Sequence, residues 1–208
     1  MAVRLILASA SPARLATLRS AGLSPEVLVS GVDETAVTAS SVPDLVIRLA
    51  RLKAETAAAR VDHDQQTTIV IGCDSLLELD GTAYGKPGSP AEAIDRWHRM
   101  RGSSGVLHTG HHVVLRRAGQ QRSDSAVAST TVHFADLTDA EITAYVATGE
   151  PLAVAGAFTI DGLGGAFVSG IEGDHHNVVG ISLPLLRILL AELGVAWSSL
   201  WNQQGQRA

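Results

Sequence analysis

Apolar residues fall along this chain in two alternating patterns. Short runs rich in contiguous or β-branched residues read as strands at Val3–Ala8, Glu26–Ser30, Thr68–Gly72, His112–Arg116, Ala126–Phe134 and Ala166–Ile171. Longer series with helical spacing read as helices at Pro12–Ala21, Pro43–Val61, Pro90–Met100, Asp139–Thr148 and Pro184–Leu193. Gly22, Gly149 and Gly194 stand just past three of those helix ends, where a left-handed residue is wanted. Thr138 and Glu141 have the spacing of a capping box. Strands and helices mix throughout, without repeats or low-complexity blocks. The expectation is an α/β or α+β protein with a mixed sheet, its lobes set around a cleft.

Composition narrows this picture. The 208 residues are 46% hydrophobic, enough for a real core, and only 18% charged, which argues against disorder. The net charge is −5, from 16 basic and 21 acidic residues, and no long basic run is present. A nucleic-acid-binding surface is therefore not expected. An anionic ligand would need a few local cations and a metal. Cys73 is the only cysteine, so no internal disulfide can form, which is compatible with a reducing cytoplasm. The apolar start is broken at Ser9–Arg14, too early for a signal peptide, and no segment reaches the roughly 18 apolar residues of a membrane span. The expectation is a soluble cytoplasmic protein with neither membrane nor nucleic acid as partner.

Five stretches carry candidate chemistry. In "LILASASPARLATL", Leu5–Leu18, a strand turns into a helix through Ser9, Ser11, Pro12 and Arg14. Ser11 suits the N-cap and Pro12 the first helical position. The positive helix end and the Arg14 fork suit a phosphate, while a plain capped helix with a solvated arginine uses the same residues. "SGVDET" places Asp33 and Glu34 after a strand, and "LARLKAETA" places Lys53 in a helix. "IVIGCDSLLEL" puts Asp74 at the end of a buried-looking strand, where a carboxylate needs a partner. "YGKPGSP" holds Lys86 in a loop whose glycine allows close ligand approach. As alternatives, Asp74 caps a turn, and Glu34, Lys53 and Lys86 are solvated surface charges. His108, His111 and His112 do not fall on a convincing helix, where an i, i+4 pair could hold a metal, and are expected at a strand edge. There is no P-loop and no nucleophile elbow; "GLGG" at Gly162–Gly165 lacks the dinucleotide-binding setting.

Taken in order, "LASASPAR", "VDE", "LKA", "IGCDS", "GKP", "HTGH", "EPLAVAGAFTIDGLG" and "IEGDHHNVVGISL" resemble the Maf family over Val3 to about Leu193. That family consists of nucleoside triphosphate pyrophosphatases once described as septum-formation inhibitors. The resemblance implies a single domain over residues 1–208: an α/β fold with an elongated, mixed twisted sheet, flanking helices and two lobes around a cleft, similar to the inosine triphosphate pyrophosphatases. It also implies a homodimer, a required divalent cation (Mg or Mn), and conversion of a nucleoside triphosphate to monophosphate and pyrophosphate in nucleotide pool sanitation, with a possible link to cell division. By the same likeness Ser9, Ser11 and Arg14 bind phosphate. Glu34 and Asp74 form the acidic, metal-holding pair with Asp74 as proton acceptor, and Lys53 and Lys86 are the cleft lysines. Two family arginines are absent, at Ala13 and Ser103. Val154 and Asp161 replace the lysine and glutamine of the branch acting on dTTP and UTP. "IDGLG" looks more like the 7-methylguanosine triphosphate branch, with Asp161 as base-selecting residue. The other reading is a nucleotide-binding regulator of cell division that does not turn over.

Overall fold

The computed structural model describes residues 3–62 and 66–201. In chain order the elements are β1 (Val3–Leu7), α1 (Pro12–Ser20), β2 (Glu26–Val27), α2 (Val42–Ala59), β3 (Thr67–Leu79), β4 (Thr82–Tyr84), α3 (Pro90–Met100), β5 (Ser104–Arg117), β6 (Gln120–Phe134), α4 (Asp139–Ala147), β7 (Val168–Glu172), α5 (His175–Val179) and α6 (Leu183–Glu192). The strands join in one seven-stranded sheet of order β2-β1-β3-β5-β6-β7, with β4 paired to β3. β1 is parallel to β2 and β3; the other pairings are antiparallel. The α/β class with a mixed sheet and flanking helices is therefore what the chain builds. Among the described residues, no helix is long and apolar enough to cross a membrane.

Helix starts follow the local signals. Ser11, Ser41, Ser89 and Ser182 each cap a helix with a proline in its first two positions, and Thr138 and Glu141 close a full capping box.

Strand lengths depart from expectation. β3 does not stop at Gly72 but runs on to Leu79, so Asp74 lies inside the strand rather than at its end. Small and polar residues at 72–75 interrupt the apolar run, yet β5 continues the ladder from Thr68↔Arg116 to Glu78↔Val106. The strand ends at a β3–β4 turn where Asp80 and Gly81 both take positive φ, 49° and 73°. β5 likewise starts at Ser104, well before His112, and is paired on both sides, so His108, His111 and His112 lie inside a central strand and not at an edge. β2 keeps only Glu26–Val27, β4 is additional, and β7 begins at Val168 after a 3₁₀ turn over Leu163–Phe167.

Side chains alternate across the sheet. One face carries Ile6, Ala8, Val70 and Val114 against the alanine stripe of α2, Ala54, Ala57 and Ala58. The opposite face holds two separate cores. At one end Leu7, Ile69, Ile71 and Val113 pack with Leu18 of α1 and Leu186 and Leu190 of α6. At the other, Leu77, Leu107, Val132 and Phe134 pack with Trp97 and Met100 of α3 and Ile142 and Tyr145 of α4. These cores are the two lobes, and a polar layer lies between them.

Candidate active site

Two glycines set the height of α2 above the sheet. A Cβ on Gly72 would sit 2.3 Å from the Ala50 carbonyl oxygen, and one on Gly110 2.2 Å from that of Val46. Neither distance admits a side chain, so the helix backbone lies directly on β3 and β5 there. Gly110 is the register partner of Asp74, and Gly72 precedes Asp74 by two on the same face. Lys53, one residue before Ala54, is thereby brought to Asp74.

The result is a three-residue ionic cluster. Lys53 Nζ donates to Asp74 Oδ1 at 2.5 Å and pairs with Glu34 Oε1 at 2.9 Å. The Lys53 and Asp74 side chains are only 12% and 11% exposed, while Glu34 is 48% exposed. Glu34 comes from the connection between β2 and α2, where Asp33 Oδ1 accepts from the Thr35 N–H and hydroxyl. Burial raises the Asp74 carboxyl above its usual pKa, although Lys53 and then Arg14 pull the other way. Asp74 Oδ2 and Glu34 Oε2 accept no hydrogen bond among the described residues.

The β1–α1 turn lies alongside. Ser11 Oγ accepts from Arg14 N–H, and Ser9 Oγ accepts from Ser11 N–H and Arg14 Nη1. Arg14 itself is buried, and its described bonds all end on protein: Gly180 O at 2.7 Å, Cys73 O at 2.9 Å, Ser75 Oγ at 2.9 Å and Ser9 Oγ at 3.0 Å. It braces both neighbours of Asp74 to the helix start.

Beneath Arg14 the polar layer continues. Ser75 and Thr109 hydroxyls meet at 2.9 Å, Asn177 Nδ2 donates to Leu107 O and Thr130 Oγ1, and Ser182 N–H donates to His111 Nε2. Burial pushes His111 down to about 4, so it is a neutral acceptor. Sequence reasoning assigned no role to Asn177 or Ser75; the polar Asn177 before an apolar run was the available signal. His108 bridges Glu78 and Ser129, and His112 bridges Glu55 and Ser125.

Lys86 and Asp161 lie outside the ionic cluster. Lys86 is exposed and makes no hydrogen bond or ion pair with the described residues. Its neighbour Gly85 lies against Leu76, whose Cδ2 would be 3.4 Å from an added Cβ, and Leu76 shares the face of Asp74 two residues away. With Lys53 it makes up the whole lysine content of the chain. Gly85 O also accepts from Gly156 N–H, which ties this loop to the 154–164 segment. Asp161 is exposed on that segment, which Glu150 pins by accepting from Thr159 Oγ1, Leu163 N–H and Gly164 N–H. Of the two positions lacking a family arginine, Ser103 donates to Met100 O at 2.6 Å, and nearby Arg101 is engaged with Asp139 at 2.6 Å and Leu137 O at 3.1 Å.

Residues 4–193 match the family model described as Maf-like protein. Three similar proteins are each named nucleoside triphosphate pyrophosphatase. That of Salinispora tropica is 61% identical over 97% of this chain and 88% of its own length. Those of Streptomyces coelicolor and Cutibacterium acnes are 58% and 54% identical, each over 95% of this chain and 94% of their own. Among solved structures, the Ham1 protein of Staphylococcus aureus aligns with 64% of this chain and 72% of its own at TM-score 0.38 and 18% identity; the topology above stands independently of it.

Proposed function

The chain belongs to the Maf-like protein family, and from that premise we propose that it hydrolyses nucleoside triphosphates to monophosphate and pyrophosphate at the Asp74–Lys53–Glu34 cluster, with a divalent cation. The observation that carries this is one ammonium group held between two carboxylates, each with an oxygen left over.

A triphosphate repels an attacking hydroxide until its charge is offset. Lys53 supplies a fixed cation at the cluster, and Lys86, without a partner among the described residues, is the cation available to a leaving pyrophosphate. Asp74, raised by burial, is a stronger base than an ordinary aspartate and takes the proton from water as its oxygen attacks the α-phosphorus. The bond from that phosphorus to the bridging oxygen breaks, and pyrophosphate leaves. Ser9, Ser11 and the first-turn N–H groups of α1 receive phosphate oxygens, while Arg14 holds that turn in place. Glu34 and Asp74 fit Mg or Mn: both offer hard oxygen donors, and such ions are commonly held by one or two carboxylates with waters and phosphates completing the shell. The cation, when bound, neutralises phosphate charge.

Base selection falls to Asp161. An ionised carboxylate accepts and cannot donate, so it suits guanine, with its adjacent N1–H and amine, over thymine or uracil. Asp161 is exposed, so water competes for its oxygens and the preference it gives is expected to be small. Guanine-type triphosphates are expected to exceed dTTP and UTP in kcat/KM, and Asp161→Gln to narrow the gap. The second reading, a nucleotide-binding regulator without turnover, draws on Ala13 and Ser103 and on Arg101 being engaged elsewhere. A nucleotide panel with Mg or Mn, scored separately for pyrophosphate and orthophosphate, tests both. Pyrophosphate release supports the enzyme, tight binding with no product supports the regulator, and orthophosphate overturns the reaction type.

A further inference from the structure

The loop carrying Lys86 is short and glycine-bounded, with Lys86 and Gly88 exposed around a buried Pro87, and one ion pair reaches both its ends, sharing Gly85 O with the Gly156 N–H. Arg96, on the inner side of α3 and only 4% exposed, donates through Nη1 to Gly85 O and through Nη2 to Glu92 Oε1 at 2.8 Å. The other oxygen of Glu92 accepts the Gly88 N–H at 2.8 Å. One ion pair thus grips the carbonyl before Lys86 and the amide two residues after it. The Arg96 guanidinium also lies 4.8 Å from the centroid of the Tyr84 ring, on the residue before Gly85.

We infer that Arg96 and Glu92 are positioning residues, a clamp that fixes residues 85–88 and so aims the Lys86 ammonium at the triphosphate. This rests on the reading of Lys86 as a triphosphate ligand. A lysine on a four-carbon stem is a point charge with many rotamers, so its effect on a transition state depends on where its backbone is held. Gly85 and Gly88 leave both ends of the loop free to turn, while Pro87 stiffens only the position after Lys86. Glu92 makes the shared contact: its two carboxylate oxygens take one bond from the clamp arginine and one from the loop, an arrangement no neutral side chain reproduces.

The experiment is a double-mutant cycle on Lys86→Ala and Glu92→Ala in the full chain. It measures pyrophosphate release from whichever of GTP, UTP and dTTP the wild type turns over fastest with Mg, and records Tm for every variant. Glu92 is half-exposed, so its truncation leaves the core of α3 in place. Glu92→Ala is expected to lower kcat/KM by up to about 100-fold. In the Lys86→Ala background the same substitution should change kcat/KM by less than about twofold, while lowering Tm as much as it does in the wild type. Glu92→Gln keeps one acceptor oxygen and should fall between, and it serves as the test if Glu92→Ala does not fold. Effects that multiply in the double variant would overturn the clamp, as would a loss of Tm in Glu92→Ala with kcat/KM intact. Wild-type kcat/KM in Lys86→Ala would remove the ligand role of Lys86 itself, and the clamp with it.

Discussion

Residues 73–75 of β3 face the two sides of the sheet alternately, and the polar chemistry on the two sides is built differently. On the α2 side, Asp74 and Glu34 share one lysine and keep oxygens free of hydrogen bonds from the described residues, with Glu34 half-exposed. On the far side, Arg14 sends its described bonds to four protein acceptors, His111 fills both ring nitrogens, and Ser75 and Thr109 bond each other. Both groups are charged or polar, and all their members but Glu34 are largely buried. The difference is how far protein fills them: four of the five Arg14 N–H donors and both His111 ring nitrogens are bonded to protein, while Asp74 and Glu34 each keep an oxygen with no described partner. The same strand therefore carries the proposed site on one side and a more fully bonded polar layer on the other.

The strongest way to break that contrast is Asp74→Asn, which keeps an oxygen for Lys53 but removes the base. Activity should fall by about 10²–10⁴ with Tm little changed. Near-wild-type kcat in the folded variant would place the chemistry elsewhere. On the far side the reverse is expected. Arg14→Met removes a buried donor from Gly180 O, Cys73 O, Ser75 and Ser9, of which Ser75 keeps Thr109 and Ser9 keeps the Ser11 N–H, and should cost about 3–5 kcal/mol in denaturant unfolding. Where the variant, or the milder Arg14→Lys, still folds, the pH profile sharpens the point. The acid limb of kcat/KM reports deprotonation of Asp74 and should lie above the ordinary aspartate value of 3.8, because burial raises it. Arg14 pulls that limb down, so Arg14→Met should move it to higher pH, and an unmoved limb would uncouple the two faces.

The smallest effect belongs to His111. Its folded pKa is held at about 4 against 6.5 for a free histidine, so between those values the unfolded chain binds more protons. Stability from this group is present above pH 6.5 and is lost as pH falls towards 4, by about 3 kcal/mol in all. Unfolding free energies measured across that window should show the slope in the wild type and lose it in His111→Asn. An unchanged slope would mean that other groups set the acid sensitivity.

Some of the molecule was legible without coordinates because its causes are local. Ser11-Pro12, Ser89-Pro90 and Thr138 with Glu141 fix helix starts within four residues of chain, and the helices begin there. The ladder through Gly72, Cys73, Asp74 and Ser75 was not legible, because its hydrogen bonds come from Thr109–His112 of another strand, while the residues themselves interrupt the apolar run. Lys53 shows only as a helical lysine until Gly72 and Gly110 let α2 settle onto the sheet.

What the sequence by itself determined is the set of elements with short-range causes, the scarcity of lysine, and the ordered motifs that resemble the Maf family. What the tertiary structure decided is which partners each charge meets. Arg14 is drawn inside by acceptors 59 to 166 residues away, while Lys86 has no partner among the described residues. The reason is physical: a charge has its partners chosen by whichever groups folding brings within 3 Å or so, and sequence spacing carries no record of that distance.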